Sequence, residues 1–299
     1  MKSAKLGAAL AFSAGACWGI MGVTAQYLFE FFSFTPEGLV ALRLVAGGLL
    51  ILAAEALFFG RDVLEPMRDR RNRRDLLLYG AGTGLMQYTF FLAVAASNAG
   101  TAAVLSGAIP LFLLLWQVRS ERRRPSPLEV FCVLLAGFGI TLLVTKGRLD
   151  ALDFSAAGVG MGLASALCGA FCSIEPQAVL RRVSPALVTG WGLLLGGLMM
   201  LAADPRGPVQ GSWSLMSLLC VFVVVVVGTV TAFLCYLTSL RFIAAPTAGL
   251  LSCSEPLTAV IFTALVLGTR FEPLELVGAA CIVACVLLVD KAAGRRKSA

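Results

Sequence analysis

The sequence predicts an all-α integral membrane protein, with ten transmembrane helices arranged as two inverted five-helix repeats. Three observations carry that expectation: an apolar composition, ten apolar runs of spanning length, and an internal repeat with an odd number of runs per copy. Of the 299 residues, 59% are hydrophobic and 14% charged, with a mean hydropathy of +0.89. Soluble domains carry about 45–50% apolar and about 25% charged residues. Most of this chain must therefore face something other than water, which argues against a soluble enzyme, a nucleic-acid binder or a secreted disulfide scaffold.

A membrane-spanning helix takes about 20 mostly apolar residues. Runs of that kind cover 7–29, 36–59, 76–97, 98–118, 127–145, 155–180, 185–203, 213–240, 243–267 and 272–290. The first follows Lys2 and Lys5 but stays apolar too long for a signal peptide and lacks an A-x-A exit, so it reads as an uncleaved span. Lysine and arginine favour the cytoplasmic side. Of the 24 basic residues, 19 fall in the N-terminus, the tail and alternate connections, 4 fall on the other side, and Arg43 lies inside a span. Both termini are expected in the cytoplasm, and the cluster Arg70-Arg71-Asn72-Arg73-Arg74 is a topology signal rather than a nucleic-acid site.

Residues 34–55 align without gaps to 183–204, pairing Pro36 with Pro185 and Gly47-Gly48 with Gly196-Gly197. A second block from Thr101 aligns with one from Thr247, and Pro127-Leu128-Glu129 then falls on Pro273-Leu274-Glu275. The copies, 1–148 and 149–299, each hold five runs. An odd number makes the copies enter the bilayer from opposite sides, the symmetry of alternating-access carriers.

Cys17-Trp18-Gly19, Arg43, Glu255-Pro256-Leu257 and Gly278 after Pro273-Leu274-Glu275 give the chain a resemblance to the EamA-type carriers of the drug/metabolite transporter superfamily. The resemblance spans essentially the whole chain. It implies a compact bundle of two inverted halves around a central cavity, with amino acids, other metabolites or drug-like cations as substrates. Many relatives place an acidic residue after the Leu-Gly that ends the ninth span, whereas here Leu267-Gly268 runs into Thr269-Arg270.

Ionisable groups deep in a bilayer are costly and mark functional sites. Glu255 is the foremost, near the middle of the ninth run and too short to reach the interface. Its repeat mate is Ile109, so the carboxylate belongs to one copy only. Pro110 and Pro256 sit at matching positions and should interrupt their helices, freeing the carbonyls of Ser106 and Ser252. Matched breaks of this kind point to a carrier's binding site. Arg43 either snorkels outward or pairs with Glu37, or else holds a carboxylate from a substrate or another span. Trp18, Gln87 and Tyr88 lie at similar depth and offer π faces or polar contacts, and Trp191 suits either a site or an interfacial position. Trp116, Trp213 and Tyr236 fall near run ends and fit the interfacial belt. Glu175 reads as a boundary group.

The chain has no histidine, and its nine cysteines lie in apolar runs without C-x-x-C spacing, so neither a metal nor a cofactor is expected. No nucleotide-binding motif is present, which excludes ATP-driven pumping by this chain alone. The expected function is a secondary-active or facilitative inner-membrane carrier of small metabolites, amino acids or related compounds, in the export direction. The alternatives are uptake or proton-linked exchange of an organic cation such as choline, and a passive channel. The expected partners are the lipid bilayer, a small-molecule substrate and, for exchange, protons. The sequence carries no signature of an oligomeric state.

Overall fold

The computed structural model describes residues 2–96, 105–148, 156–203, 211–267 and 272–295. Thr101, the 148/149 boundary between the copies, Arg206 and Gly268–Arg270 lie wholly or partly outside the described residues. Among the described residues the ordered elements are all helical. In chain order they are α1 (Lys2–Phe32), α2 (Pro36–Phe59), the short α3 (Glu65–Arg68), α4 (Arg70–Ala96), α5 (Ile109–Ser120), α6 (Pro127–Thr145), α7 (Ala156–Ile174), the one-turn α8 (Pro176–Val179) and α9 (Pro185–Ala203). Then come α10 (Leu215–Phe222), a π-helical segment (Val223–Thr231), α11 (Ala232–Ser239), α12 (Ala245–Leu251), α13 (Ser254–Leu267) and α14 (Pro273–Arg295).

The helix starts follow from local chemistry. Proline at the first helical position opens α2, α6, α9 and α14, where its missing N–H costs nothing. Thr35 accepts from the Gly38 amide, and Ser126 with Glu129 forms a reciprocal capping box that Arg123 reinforces with Nη1 and Nη2, each 2.8 Å from a carboxylate oxygen. Asp69 caps α4 by accepting from the Arg71 and Asn72 amides at 2.7 and 3.0 Å. Those amides hold its carboxyl below the usual aspartate range. The chain leaves α2 through Gly60, whose φ of 61° is left-handed and suits glycine.

Among the described residues, five helical stretches are long and apolar enough to cross a membrane: Ser3–Phe32, Pro36–Phe59, Ala156–Val179, Pro185–Ala202 and Leu215–Ser239. Shorter apolar helices cover Ile109–Ser120, Pro127–Leu142 and Leu276–Cys285. The ninth run falls short of a continuous span for a physical reason, since it is broken between α12 and α13. Large apolar side chains turn outward, Phe58 at 81% and Leu265 at 78% exposure, while Thr83, Ser239 and Ser254 are buried. The outward-facing apolar side chains fit a lipid surround.

Close helix contacts rest on glycine. A Cβ on Gly48 would lie 2.6 Å from the Leu194 amide nitrogen, and one on Gly197 would lie 2.8 Å from that of Val45. Together with Gly190 against Leu52, these contacts run α2 and α9 antiparallel, backbone against backbone. Under the repeat alignment Val45 is the mate of Leu194 and Gly48 of Gly197, so the two contacts exchange under a two-fold operation. α6 and α14 repeat the pattern. A Cβ on Gly139 would lie 2.9 Å from the Gly278 carbonyl oxygen, and its mate Cys285 donates to the carbonyl of Cys132, the mate of Gly278, at 3.3 Å.

The basic residues mark one end of the bundle. There Arg182 pairs with Asp75 and donates to Asn72, Arg241 donates to the Leu180 carbonyl, and Gly7 of α1 packs on Phe242. At the opposite end Phe34 packs edge-on to Trp213, and the Ser212 amide donates to the Phe32 carbonyl.

Candidate substrate site

Both expected proline breaks coincide with turns. Gly107 and Ala108 form turn residues before α5, which opens Ile109-Pro110. Ser252 and Cys253 separate α12 from α13, which opens Ser254-Glu255-Pro256. The Ser252 carbonyl, which Pro256 cannot serve, accepts the Glu255 amide instead at 3.0 Å. The expectation that this carbonyl stands free is therefore corrected: a tighter turn satisfies it. Ser252 also turns its Oγ back onto the Gly249 carbonyl at 2.9 Å.

The break gives Glu255 its setting. It lies in the first turn of α13, where unsatisfied amides favour a negative charge. Ser254 anchors this turn to α1 by donating to the Phe12 carbonyl at 2.8 Å, and the Glu255 main chain packs against Gly19. Glu255 is surrounded by protein yet exposed, and its charge acts on that of Arg43 in the interior. Among the described residues its carboxylate has no hydrogen-bond partner.

Arg43 is only 5% exposed, so the snorkelling alternative is overturned, as is pairing with Glu37, which is exposed. Its Nη1 donates to Thr229 Oγ1 at 3.4 Å and lies 3.6 Å from Met21 Sδ. Thr229 belongs to the π-helical segment, and its hydroxyl donates five residues back to the Val224 carbonyl at 2.9 Å. π-Helical turns frequently accompany functional sites.

Trp18 stands between the charged pair and the basic end. Its ring lies 5.4 Å from Phe233 and 5.4 Å from Tyr236. Tyr236 is 7% exposed, and its hydroxyl is 2.8 Å from Ser173 Oγ. The interfacial position expected for Tyr236 is corrected: α11 continues past the π-helical segment with this face turned inward. Trp116 and Trp213 are exposed.

The structure thus brings Trp18, Arg43, Ser252 and Glu255 together. Gln87 is half-buried and Tyr88 exposed on α4, and Ser106 is half-buried before α5. Among the described residues no hydrogen bond or ring contact ties these three to the group. Trp191 lies toward the basic end, donating Nε1–H to the Val63 carbonyl at 2.8 Å. Met21, Thr229, Phe233 and Tyr236 are the members that sequence reasoning missed. Nothing separates them by type from packing residues, although Thr229, with Thr231, interrupts a run of valines after Gly228. Among the described residues no group of three or more cysteine and acidic side chains could hold a metal ion.

An apolar exterior, broken helices and a buried site with one charge of each sign define the class as helical membrane transport proteins. The family model described as the EamA-like transporter family matches residues 5–145 and 156–289, and the chain belongs to that family. It is 32% identical over 287 residues to the inner membrane transporter YicL of Salmonella typhimurium, covering 96% of this chain and 95% of that one. It is 28% identical over 252 residues to the threonine/homoserine exporter RhtA of Escherichia coli, covering 83% and 79%. A crystal structure at 19% identity matches with a TM-score of 0.81 over 98% of this chain and 99% of that one, a likeness of fold.

Proposed function

We propose that the chain is an inner-membrane carrier of small metabolites bearing both a carboxylate and a cationic group, such as amino acids, working by alternating access. Ten spans form two inverted five-helix halves, 1–148 and 149–299, with both termini cytoplasmic. The antiparallel, reciprocal contacts of α2 with α9 and of α6 with α14 support the inversion, because mated helices of an inverted repeat must run in opposite directions. The two stretches matched by the family model, 5–145 and 156–289, support the division. The name of the YicL relative supports the inner membrane, and that of the RhtA relative supports amino-acid export.

The observation that carries the substrate reading is the opposition of Arg43 and Glu255. One comes from each half, their charges act on one another, and no direct ion pair joins them. Arg43 would take the substrate carboxylate and Glu255 its ammonium group, with Trp18 as apolar wall. Uptake of an organic cation such as choline is the second reading, favoured by the unpartnered Glu255 carboxylate near Trp18. Gln87, Tyr88 and Ser106 join the site only if the halves move, and a role for Trp191 requires the Val63 loop to release it.

A thermal-shift screen of purified protein against threonine, homoserine and choline tests these readings. Stabilisation by the amino acids supports the first and stabilisation by choline alone the second. Saturable counterflow in liposomes separates a carrier from a channel.

A further inference from the structure

Glu175 is a second acidic group inside the bundle, and the site described above does not use it. It stands at the break between α7 and α8, where Pro176 follows and the helix turns. Its Oε2 is buried and, among the described residues, has no hydrogen-bond partner. A carboxylate oxygen in that position is a costly place for a charge, because neither water nor a donor replaces its hydration. The group lies beneath the closure at the basic end, where Arg182 is paired with Asp75 and Arg241 holds the Leu180 carbonyl at 2.7 Å.

The groups that act on it are a like charge, Asp75, and an opposite one, Arg74, both on α4. Tyr79 of α4 and Cys172 of α7 also feel its charge. From α11, Tyr236 reaches the same helix through Ser173, two residues before Glu175, and α5 meets it with the apolar Ile109 against Gly169. Trp18, Tyr236 and Ser173 thus form a linked set that reaches the helix leading to Glu175.

We propose that Glu175 is a proton-binding carboxyl that controls the closure at the basic end of the path. With the proton on, the group is neutral and the closure stays shut. When the proton leaves to water at the basic end, the carboxylate repels Asp75, weakens the Asp75–Arg182 pair and draws in water, which opens the path. No bond to carbon changes, and the proton is the sole species transferred. The proposal rests on the carrier reading for its meaning, but its test does not need a transported substrate.

Cys172 supplies the readout. It is 8% exposed under the closure, 3.8 Å from Thr83 Oγ1, and becomes reachable when the closure opens. The full-length protein is labelled with N-ethylmaleimide at a series of pH values, and modification of Cys172 is read by peptide mass spectrometry in the wild type and in Glu175→Gln. Because the Glu175 charge acts on the Cys172 thiol, each rate is first divided by the Cys172 thiolate fraction measured in the same variant, and the ratio is taken of the corrected rates. The expected ratio rises several-fold from acid to alkaline pH, as the wild-type carboxyl ionises and the amide does not.

A flat ratio overturns the proposal. Should Glu175→Gln fail to fold, Asp75→Asn takes its place. Without the like charge the pH-dependent rise should be largely lost, and a rise equal to the wild type contradicts the proposal. Loss of a protonated-carboxyl infrared band at neutral pH in Glu175→Gln, but not in Glu255→Gln, is the direct spectroscopic expectation. If the carrier reading fails, wild-type liposomes show no counterflow while the labelling ratio still rises, so the two failures are distinct.

Discussion

Arg43 in α2 and Thr229 in the π-helical segment, 186 residues apart in the chain, meet through a buried hydrogen bond of 3.4 Å. The bond joins α2 to the π-helical segment beside the charged site and fixes the guanidinium in the interior. Without it, Arg43 would keep only the weak acceptor Met21 Sδ among the described residues. A hydrogen bond to a charged group contributes about 1.5–3 kcal/mol, and leaving the donor buried and unmade costs at least as much.

Thr229→Val keeps the shape of the side chain and removes the acceptor. We expect a folded protein with a lowered Tm and an affinity for amino-acid substrate reduced about tenfold, from loss of about 1.4 kcal/mol of site ordering. Thr229→Ser, which keeps the hydroxyl, should restore most of the affinity. Equal affinities in the valine variant and the wild type would remove Thr229 from the site.

The α1–α13 crossing makes a sharper stability prediction. A methyl on Gly19 would run into the Glu255 carbonyl and lie 2.8 Å from the Ala259 amide nitrogen, both main chain, whereas one on Gly22 meets nothing within 4 Å. Overpacking of this kind costs about 1–3 kcal/mol. Gly19→Ala should lower Tm in detergent by several degrees and displace Glu255, while Gly22→Ala should match the wild type. Equal melting of the two variants would contradict the crossing.

At the start of α4, amides of Arg71 and Asn72 hold the Asp69 carboxyl below its ordinary range. A group whose folded pKa is lowered contributes stability above its unfolded value, about 3.9, and loses that contribution as pH falls through the folded value. The wild type should therefore melt above Asp69→Ala at neutral pH, and the difference should shrink on acidification below about pH 4. A difference that grows toward acid would reverse the assignment.

Much of the fold was legible because lipid imposes a simple rule: apolar runs bounded by proline or capping residues. The expected limits 36–59, 127–145 and 185–203 are those of α2, α6 and α9, each opening on a proline. Glycine pairs read as contact points are the places where α2 and α9 touch. The breaks before Pro110 and Pro256 were foreseeable because the lost N–H is written in the sequence. The side on which a residue lies was less accessible. Tyr236 near a run end and Arg43 a few residues inside another offered no sign of direction, since both an interfacial belt and an inward face accept such residues. The π-helical segment was invisible: Val223–Val227 reads as an ordinary apolar stretch, and the register change appears only once Thr229 reaches Val224.

The central claim is that Arg43 and Glu255 hold the two ends of a dipolar substrate. The most direct measurement is threonine and homoserine counterflow in proteoliposomes for the wild type, Arg43→Gln and Glu255→Gln. The account predicts saturable exchange by the wild type and a loss of more than about tenfold in each variant. Both variants should remain folded by thermal melting. Unchanged flux in Glu255→Gln would contradict the account and reduce the carboxylate to a structural group.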